Sequence, residues 1–280
     1  MRTIACQDIA ATIARLFQEA NLDLSEDVCA SLRAGLAQET GDLPRSVLST
    51  LLDNAEVARR ERLAMCQDCG LAIVFVELGR DCRLDGDLYE AVDVGVREAY
   101  AAAHLRKSVL ADPLDRSSNT GDNTPAIVHV RVVAGDRLHL HCAPKGGGSE
   151  NMSALWMLSP AAGREGVITK IVERIVEAGG KPCPPLVLGV GLGGNFEKVA
   201  LLAKEALLRP LGQPSPAADV AELEQEILQR VNATGIGPMG LGGRTTALAV
   251  HVERHPCHLA SLPLALNVQC HAARHKSAEI

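Results

Sequence analysis

Three cysteines, far apart in the chain, occupy segments that are unusual for buried structural thiols. Cys66 opens Cys66-Gln67-Asp68-Cys69-Gly70, Cys183 lies in Lys181-Pro182-Cys183-Pro184-Pro185, and Cys270 is followed by His271. Three separated thiolates can hold three corners of a cubane iron–sulfur cluster and leave the fourth iron open to a substrate. If the fold brings these three segments together, we expect one metal centre between them. The amide of Gln67 and the carboxylate of Asp68 would then lie beside it.

The composition excludes several classes of protein. The net charge is −6 over 280 residues and aromatic residues make up only 2%, so neither a basic surface nor base-stacking side chains indicate binding to nucleic acid. A hydrophobic fraction of 47% with so few aromatics predicts an aliphatic core.

The cysteines and the apolar segments also indicate a location. The first residues lack the apolar run of a secretory signal, and no stretch approaches the roughly 18 uncharged apolar residues of a membrane span. The nine cysteines are dispersed and odd in number. In a reducing compartment such cysteines are more often buried small hydrophobes or metal ligands than cystines. We therefore expect a cytoplasmic protein with no membrane partner.

Hydrophobic periodicity predicts a mixture of helices and strands. The predicted helices are Ile9–Glu19, Val28–Gln38, Arg45–Arg62, Asp87–His104, Val167–Ala178, Phe196–Leu208 and Val220–Val231. The predicted strands are Leu71–Leu78, Ala126–Val133, Arg137–Cys142, Pro185–Val190 and Thr245–Glu253. Ser25 is the predicted N-cap of the second helix, and Gly135-Asp136 predicts a hairpin between the second and third strands.

These elements predict an α+β fold, in which a helical N-terminal layer packs on a mixed β-sheet core, with room for two lobes around the cluster. We interpret residues 1–280 as one domain, with a helical N-terminal part over 1–62 and a cluster-binding α/β part over 63–280.

Glycine-rich segments offer places for anions. Lys145-Gly146-Gly147-Gly148 precedes a predicted helix, so its backbone N–H groups and the lysine charge favour a cradle for a carboxylate or phosphate; a tight strand-to-helix turn explains the same residues. Gly189–Gly194 follows G-x-G-x-G-G rather than the dinucleotide pattern, which favours close backbone packing near a site. Gly235–Gly243 lacks the Gly-Lys-Ser/Thr ending of a phosphate loop.

Other polar residues have two interpretations each. His258 lies twelve residues before Cys270, which favours a catalytic role over a structural one. Arg106, at the predicted end of a helix, is a solvated charge on the sequence alone. Cys66 and Cys69 form C-x-x-C, but the second pair of ligands that a structural zinc site needs is missing.

Taken together, these segments resemble the class I fumarase and L-tartrate dehydratase family of iron–sulfur hydro-lyases, and the resemblance runs through nearly the whole chain. The matching motifs, in order, are Cys66-Gln67-Asp68, Gly121–Ala126, Pro144–Asn151, Lys181–Gly194, Asn232–Gly243 and His258–Arg274. The family usually has Thr where this chain has Cys69, so a spare thiol is expected close to the cluster.

The resemblance implies a [4Fe–4S] cluster ligated by Cys66, Cys183 and Cys270, with one iron not held by cysteine. It also implies a pocket for a small dicarboxylate substrate. The residues that it assigns to this pocket are Gln67, Arg106, Lys145, Gly146 and Gly147 for substrate binding, and Asp68 and His258 for catalysis.

The resemblance also implies partners and a reaction. Single-chain family members continue into a C-terminal domain, whereas this sequence stops soon after Cys270, which indicates the α subunit of a two-subunit enzyme. A separate β subunit would complete the active site, and an α homodimer would form within an α2β2 assembly. The implied reaction is the reversible hydration of fumarate to L-malate, with dehydration of L-tartrate to oxaloacetate as the alternative.

Two hypotheses from other classes stay open on the sequence. One is an iron- or oxygen-sensing cluster protein without turnover, which would need neither an arginine clamp nor an anion cradle. The other is a purely structural role for the three cysteines, which predicts no bound iron.

Overall fold

The structure of the chain is a computed structural model that describes residues 2–280. Its helices confirm the predicted ones, with ends that differ by a few residues. They are α1 (Cys6–Leu22), α2 (Glu26–Gln38), α3 (Asp42–Glu61), α4 (Leu88–Ala102), α5 (Gly147–Glu150), α6 (Gly163–Ala178), α7 (Phe196–Ala206) and α8 (Ala218–Asn232). The third helix begins earlier than predicted, at Asp42, because a proline such as Pro44 is tolerated in the first helical turn.

The predicted strands are also present, together with others that the pattern did not reveal. The strands are β1 (Arg2–Ile4), β2 (Leu71–Gly79), β3 (Cys82–Leu84), β4 (Ile127–Val133), β5 (Leu138–Lys145), β6 (Ala154–Leu158), β7 (Leu186–Gly193), β8 (Ala247–His255), β9 (Leu262–Gln269) and β10 (Lys276–Glu279). β1, β3, β6 and β10 are too short for a clear alternation. Pro263 argues against a strand over the mainly apolar β9.

The chain divides into two compact units, each assembled from segments that are not contiguous in sequence. The first comprises the chain up to Ser25 together with Asn54–Gly147 and Arg274–Ile280, and the second comprises Glu26–Asp53 and Gly148–Ala273. α1 therefore belongs to the first unit and α2 to the second. Their helices and mixed sheets confirm the α+β class.

The sheet of the first unit has the strand order β10-β5-β2-β4, with β2 antiparallel to β5 and parallel to β4. The predicted hairpin between β4 and β5 is therefore wrong, because β2 lies between them. β2 is mostly buried along its length, as a central strand covered on both faces is. The core packs this sheet against α1 and α4, with Phe17 and Tyr100 in contact inside it.

The register of this sheet brings three loops to one end of it. Leu71, the first residue of β2, pairs with Lys145, the last residue of β5. Ile73 pairs with Ile127, the first residue of β4. The segments before β2, after β5 and before β4 therefore lie at the same end, and the first of them contains Cys66.

The sheet of the second unit has the strand order β6-β9-β7-β8, with β9 antiparallel and β8 parallel to β7. Its core is aliphatic and includes residues of α6 and α8. α7 packs directly on β7, because a Cβ at Gly189 or Gly191 would lie 2.1 Å from a carbonyl oxygen of α7. This confirms the interpretation of the glycines in Gly189–Gly194 as close packing.

Two local predictions differ from the structure. Ser25 precedes α2, but its Oγ is buried without a hydrogen-bond partner instead of capping the helix. α4 ends at Ala102, so Arg106 lies in the loop that follows rather than at a helix end. Within residues 2–280, no helix is both long enough and apolar enough to cross a membrane.

Candidate active site

Cys66 is half-buried in the irregular segment between α3 and β2. The backbone N–H of Asp68 donates to its Sγ at 3.4 Å, and the Cys66 thiol donates to Oε1 of Gln67 at 3.5 Å. An N–H group aimed at sulfur suits a metal-bound thiolate, because hydrogen bonds to the sulfur are one means by which proteins tune a cluster. The side chain of Gln67 is exposed.

The carbonyl groups of the loop Met65–Gly70 accept hydrogen bonds from side chains of distant segments of the first unit. These bonds run from Asn54 to Met65 (2.8 Å), from Arg274 to Asp68 (2.8 Å), from Tyr100 to Cys69 (2.7 Å) and to Gly70 (3.1 Å), and from Asn123 to Gly70 (3.1 Å). A loop held in this way has little conformational freedom, so it is positioned before a ligand binds.

The Asp68 carboxylate is fixed by backbone N–H groups. Gly70 donates to Oδ1 at 3.1 Å and Gly147 donates to Oδ2 at 2.7 Å. Gly146 lies against the same carboxylate, since a Cβ there would be 3.1 Å from Oδ2. In this structure the glycine-rich segment therefore binds the protein's own anion, Asp68, through the N–H of Gly147.

Lys145 ends β5 and is buried, with only 3% of it exposed. Its Nζ donates to the carbonyl oxygen of Gly146 at 3.5 Å. The register of β5 on β2 brings Lys145 next to the Cys66 loop, because a Cβ at Gly70 would lie 2.6 Å from the Lys145 nitrogen. Gly147 is exposed, whereas Gly146 is buried.

Cys69 connects the Cys66 loop with the loop that carries Arg106. The Arg106 N–H donates to the Cys69 Sγ at 3.2 Å, and that Sγ lies 3.6 Å from the carbonyl oxygen of Cys66. Cys69 is 2% exposed, and this burial raises the pKa of its thiol. The spare thiol expected near the cluster thus bonds backbone groups inside the protein, while Arg106 is exposed.

Cys183 and Cys270 lie at one end of the sheet in the second unit. Cys183 precedes β7 and Cys270 follows β9, and the antiparallel pairing of Val187 with Gln269 brings these two strand ends together. The N–H of His271 donates to the Cys183 carbonyl oxygen at 3.4 Å, and the His271 Nδ1 lies 3.1 Å from the same oxygen. Gln269 Nε2 is 3.8 Å from the Cys270 Sγ, in position to donate to it.

His258 lies in the exposed loop between β8 and β9. Its Nδ1 accepts from the Ala260 N–H at 3.2 Å. β9 separates His258 from Cys270, so the two residues lie beyond opposite ends of that strand, which is about 25 Å long at the rise of an extended chain. Although only twelve positions separate them in the sequence, His258 does not lie at the end of the second unit's sheet that carries Cys270.

Sequence reasoning missed the side chains that hold the Cys66 loop. Tyr100 is one of two tyrosines in the chain, and burial raises the pKa of its hydroxyl, which therefore stays a proton donor. Asn123 and Arg274 fall inside motifs that carried the family resemblance, Gly121–Ala126 and His258–Arg274. Their position within these motifs was the only indication in the sequence that either residue lies near the site, and it gave no role for either residue.

The sulfur environments fit a metal–thiolate site. Cys66, Cys183 and Cys270 lie in loops, whereas Cys29 and Cys142 are buried in helix and strand. The sulfurs of Cys66 and Cys270 each have an N–H group directed at them. Among residues 2–280, no three His, Cys, Asp or Glu side chains group as ligands of a single metal ion. A cubane places its thiolates on separate iron atoms, so its ligands need not converge on one point.

Comparison with known proteins gives the class. A family described as Fumarate hydratase (Fumerase) matches residues 10–279. The chain is 40% identical over 272 residues to "Putative L(+)-tartrate dehydratase subunit alpha" of Methanocaldococcus jannaschii, with 95% of each chain covered. It is 31% identical over 253 residues to L(+)-tartrate dehydratase subunit alpha of Escherichia coli strain UTI89, covering 90% of this chain and 84% of the relative.

The chain therefore belongs to the fumarate hydratase family, and it is of the hydro-lyase class of enzymes. These relatives are named as α subunits, which agrees with the family and subunit type that the sequence motifs resemble. Membership in this family supports an iron–sulfur cofactor.

Proposed function

We propose that the chain is the α subunit of a two-subunit hydro-lyase that hydrates fumarate to L-malate. The observation that supports this most directly is the fixed arrangement of the Cys66 loop, in which Asp68 donates its N–H to the Cys66 sulfur while Gly70 and Gly147 hold its carboxylate. A thiolate and a carboxylate held rigidly side by side suit chemistry in which a proton moves next to a metal.

In this proposal Cys66, Cys183 and Cys270 ligate a [4Fe–4S] cluster with one iron not held by cysteine. Such an iron would supply Lewis acidity, which would make water easier to deprotonate in hydration and hydroxide a better leaving group in the reverse reaction. The N–H groups that point at Cys66 and Cys270 would each stabilise a bound thiolate.

The chain's own residues would bind and orient the dicarboxylate. Arg106 is exposed, and its backbone is tied to the buried Cys69, so its guanidinium can bind one carboxylate through two parallel hydrogen bonds. Gln67, exposed next to Cys66, would orient the substrate with its amide. The wall of the pocket behind Asp68 would be formed by Lys145, Gly146 and Gly147.

Proton transfer is assigned first to Asp68. In hydration, water gives its hydroxide to one alkene carbon and its proton to a base, and the other carbon receives a proton from an acid. Asp68 Oδ2, held by Gly147, would accept or return the proton of water. The group that protonates the carbon on the other face would come from the partner subunit.

His258 is the second residue proposed for proton transfer. Because β9 separates it from Cys270, it can serve a site that contains Cys270 only from another copy of the chain. The proposed α homodimer within an α2β2 assembly is compatible with that requirement, and the β subunit is proposed because the relatives are named as α subunits. A cytoplasmic location belongs to the same proposal, since metal-binding thiols persist in a reducing compartment.

The experiment is anaerobic co-purification of the chain with its β partner, followed by an assay of fumarate through its ultraviolet absorbance. We expect Asp68→Asn to lower kcat by about 100-fold or more, a typical loss for a proton-transfer group. Asp115→Asn, in an exposed loop where the carboxylate bonds Ser117, is the matched control. Turnover of neither fumarate nor L-tartrate, in protein with an intact cluster, would instead favour a sensor.

The second candidate is dehydration of L-tartrate to oxaloacetate. The names of the relatives favour it, while the family description favours fumarate. Both reactions remove or add water beside a carboxylate and differ by one hydroxyl group on the substrate. Oxaloacetate formation from L-tartrate with a higher kcat/KM than fumarate hydration would move the proposal to this reaction.

A further inference from the structure

Arg274 is a buried cation beside the Cys66 loop. It is 4% exposed. Its Nη2 donates to the carbonyl oxygen of Asp68 at 2.8 Å and its Nη1 donates to Oδ1 of Asn21 at 2.9 Å, while its Nε is buried without a hydrogen-bond partner. Nothing in the family resemblance gives this residue a role.

Both acceptors of this guanidinium are neutral. Within residues 2–280, no carboxylate oxygen lies within 4.0 Å of a nitrogen of Arg274. A buried charge costs several kcal/mol unless an opposite charge compensates it, so a buried arginine bonded only to amide oxygens indicates an anion nearby. The charge must therefore be balanced by groups just beyond direct contact.

The Asp68 carboxylate is the anion that the structure places near Arg274. A Cβ at Gly146 would lie 3.1 Å from Asp68 Oδ2 and 3.7 Å from Arg274 Nη2, so the carboxylate and the guanidinium flank the same glycine. Asp68 also donates its N–H to the Cys66 sulfur. Arg274 thus holds the carbonyl group of the residue whose N–H donates to the Cys66 sulfur and whose carboxylate accepts from Gly147.

We propose that Arg274 is a positioning residue of the active site. By holding the Asp68 carbonyl group, it fixes the backbone of Asp68 so that the Cys66 sulfur and the Asp68 carboxylate keep their places. Its charge balances the negative charge of the carboxylate and of a cluster bound at Cys66. The catalytic part of this proposal rests on the proposed function. Its structural part, the immobilisation of the loop, does not.

The guanidinium group suits this role better than an ammonium group would. Its two Nη atoms reach Asp68 and Asn21 at the same time, which ties the loop to α1. Lysine offers a point charge on a flexible stem and cannot make both bonds in a fixed plane. Arg274→Lys therefore keeps the charge and loses the rigid connection, whereas Arg274→Met loses both.

The experiment compares Arg274→Lys, Arg274→Met and the control Arg15→Met in the full-length chain. Arg15 is exposed on α1 and pairs with Glu19. The first measurement is hydrogen exchange of the amides of Asp68, Cys69 and Gly70, and the second is iron bound per chain after anaerobic reconstitution. Kinetics follow in the complex with the β partner.

We expect the loop amides of Arg274→Met to exchange about tenfold faster, which is the effect of losing roughly 1.4 kcal/mol of local stability. Bound iron should fall, and kcat should fall about 10- to 100-fold with KM changed less than about threefold, because misplaced catalytic groups affect the reaction more than binding. Arg274→Lys should bind more iron than Arg274→Met but less than the unaltered chain. Arg15→Met should match the unaltered chain in exchange rate, bound iron and kcat.

A folded Arg274→Met variant with unchanged exchange, iron content and kcat would overturn the proposal. If that variant does not fold, Asn21→Asp keeps Arg274 and gives it a carboxylate in direct contact, so bound iron should fall because the guanidinium charge is already neutralised. Unchanged iron content in Asn21→Asp would then overturn it. An unaltered chain without hydro-lyase activity would refute the proposed function, while the exchange data would still test the role of Arg274 in the loop.

Discussion

Around Cys66 in the first unit, side chains from other segments donate to the loop carbonyl groups. Around Cys183 in the second unit, backbone N–H groups donate to backbone carbonyl groups across the loop. The Cys183 N–H donates to the Gly180 carbonyl oxygen at 3.1 Å, and the Met239 N–H donates to that of Pro184 at 2.8 Å. Cys183 itself has a φ of +57°, a left-handed conformation that is uncommon for a residue with a side chain.

This difference shows two ways to place a cysteine loop at the end of a sheet. A loop held by buried side chains depends on residues far away in the sequence, such as Tyr100 and Arg274. A loop held by its backbone depends on the close approach of main-chain segments, such as that of Gly180 to Gly240. Substitutions should therefore affect the two regions differently unless they remove a ligand.

Removal of a cysteine that is proposed as a ligand tests whether the two regions serve one cluster, and it has the largest expected effect. Cys66→Ser and Cys183→Ser should each lower bound iron and reduce fumarate hydration by about 100-fold or more, because a hydroxyl is a poor ligand for cluster iron. Iron analysis and the ultraviolet assay measure both effects. Cys82→Ser, on β3, is the control that should retain iron and activity. Loss in one variant but not in the other would contradict a shared cluster.

Gly70→Ala should disturb the Cys66 loop directly. Gly70 has a φ of +76°, and a Cβ there would lie 2.6 Å and 2.7 Å from backbone atoms of Lys145. The left-handed backbone costs about 1–2 kcal/mol and the clash about 1–3 kcal/mol more. Gly121→Ala, with a φ of +80° and nothing within 4 Å, is the matched control.

Urea unfolding of these two variants separates conformational strain from steric conflict. We expect the free energy of unfolding to fall by about 2–5 kcal/mol in Gly70→Ala and by about 1–2 kcal/mol in Gly121→Ala. Equal losses in both would mean that the loop can move away from Lys145 and is less rigid than its hydrogen bonds indicate.

Gly240→Ala makes the corresponding test in the second region. Gly240 has a φ of +75°, and a Cβ there would lie 2.5 Å from the Gly180 Cα and 2.9 Å from its nitrogen. We expect a loss of about 2–4 kcal/mol in the free energy of unfolding, against about 1–2 kcal/mol for the control Gly242→Ala, which has a φ of +87° and open space. Thermal unfolding and bound iron are the measurements. Intact stability with lost iron would show that only the Cys183 loop had moved.

The smallest expected effect concerns acid sensitivity. Burial lowers the pKa of His251 in the second unit and of His141 in the first. Each histidine is more easily protonated in the unfolded chain, so the stability it contributes is present above the unfolded pKa near 6.5 and is lost as the pH falls below it. When the pH is lowered from 7.5 to 5.5, the free energy of unfolding should therefore fall by about 1 kcal/mol less in His251→Gln than in the unaltered chain.

His141→Gln should have a smaller effect than His251→Gln, because His141 is half-buried and His251 is only 2% exposed. Urea unfolding at the two pH values provides the comparison. A larger effect from His141 would mean that the charged and polar neighbours of His251, rather than its burial, control its protonation.

The sequence by itself determined the elements that depend on local patterns. The helical periodicity of Val167–Ala178 and the apolar run Leu71–Leu78 are properties of adjacent residues, and both predictions are confirmed within a few residues. The glycines of β7 could be interpreted as packing features because their spacing did not fit a dinucleotide loop. The cysteine motifs and their neighbours supported the family, which the comparisons confirm.

Only the tertiary structure decided which distant segments meet. The insertion of β2 between β4 and β5 and the separation of His258 from Cys270 by β9 depend on strand pairing, which a local pattern does not specify. The donors to the Cys66 loop come from segments up to about two hundred residues away, as Arg274 does. Their hydrogen bonds exist because folding buries the loop carbonyl groups and each buried polar group needs a partner, a requirement that appears only once the chain is packed.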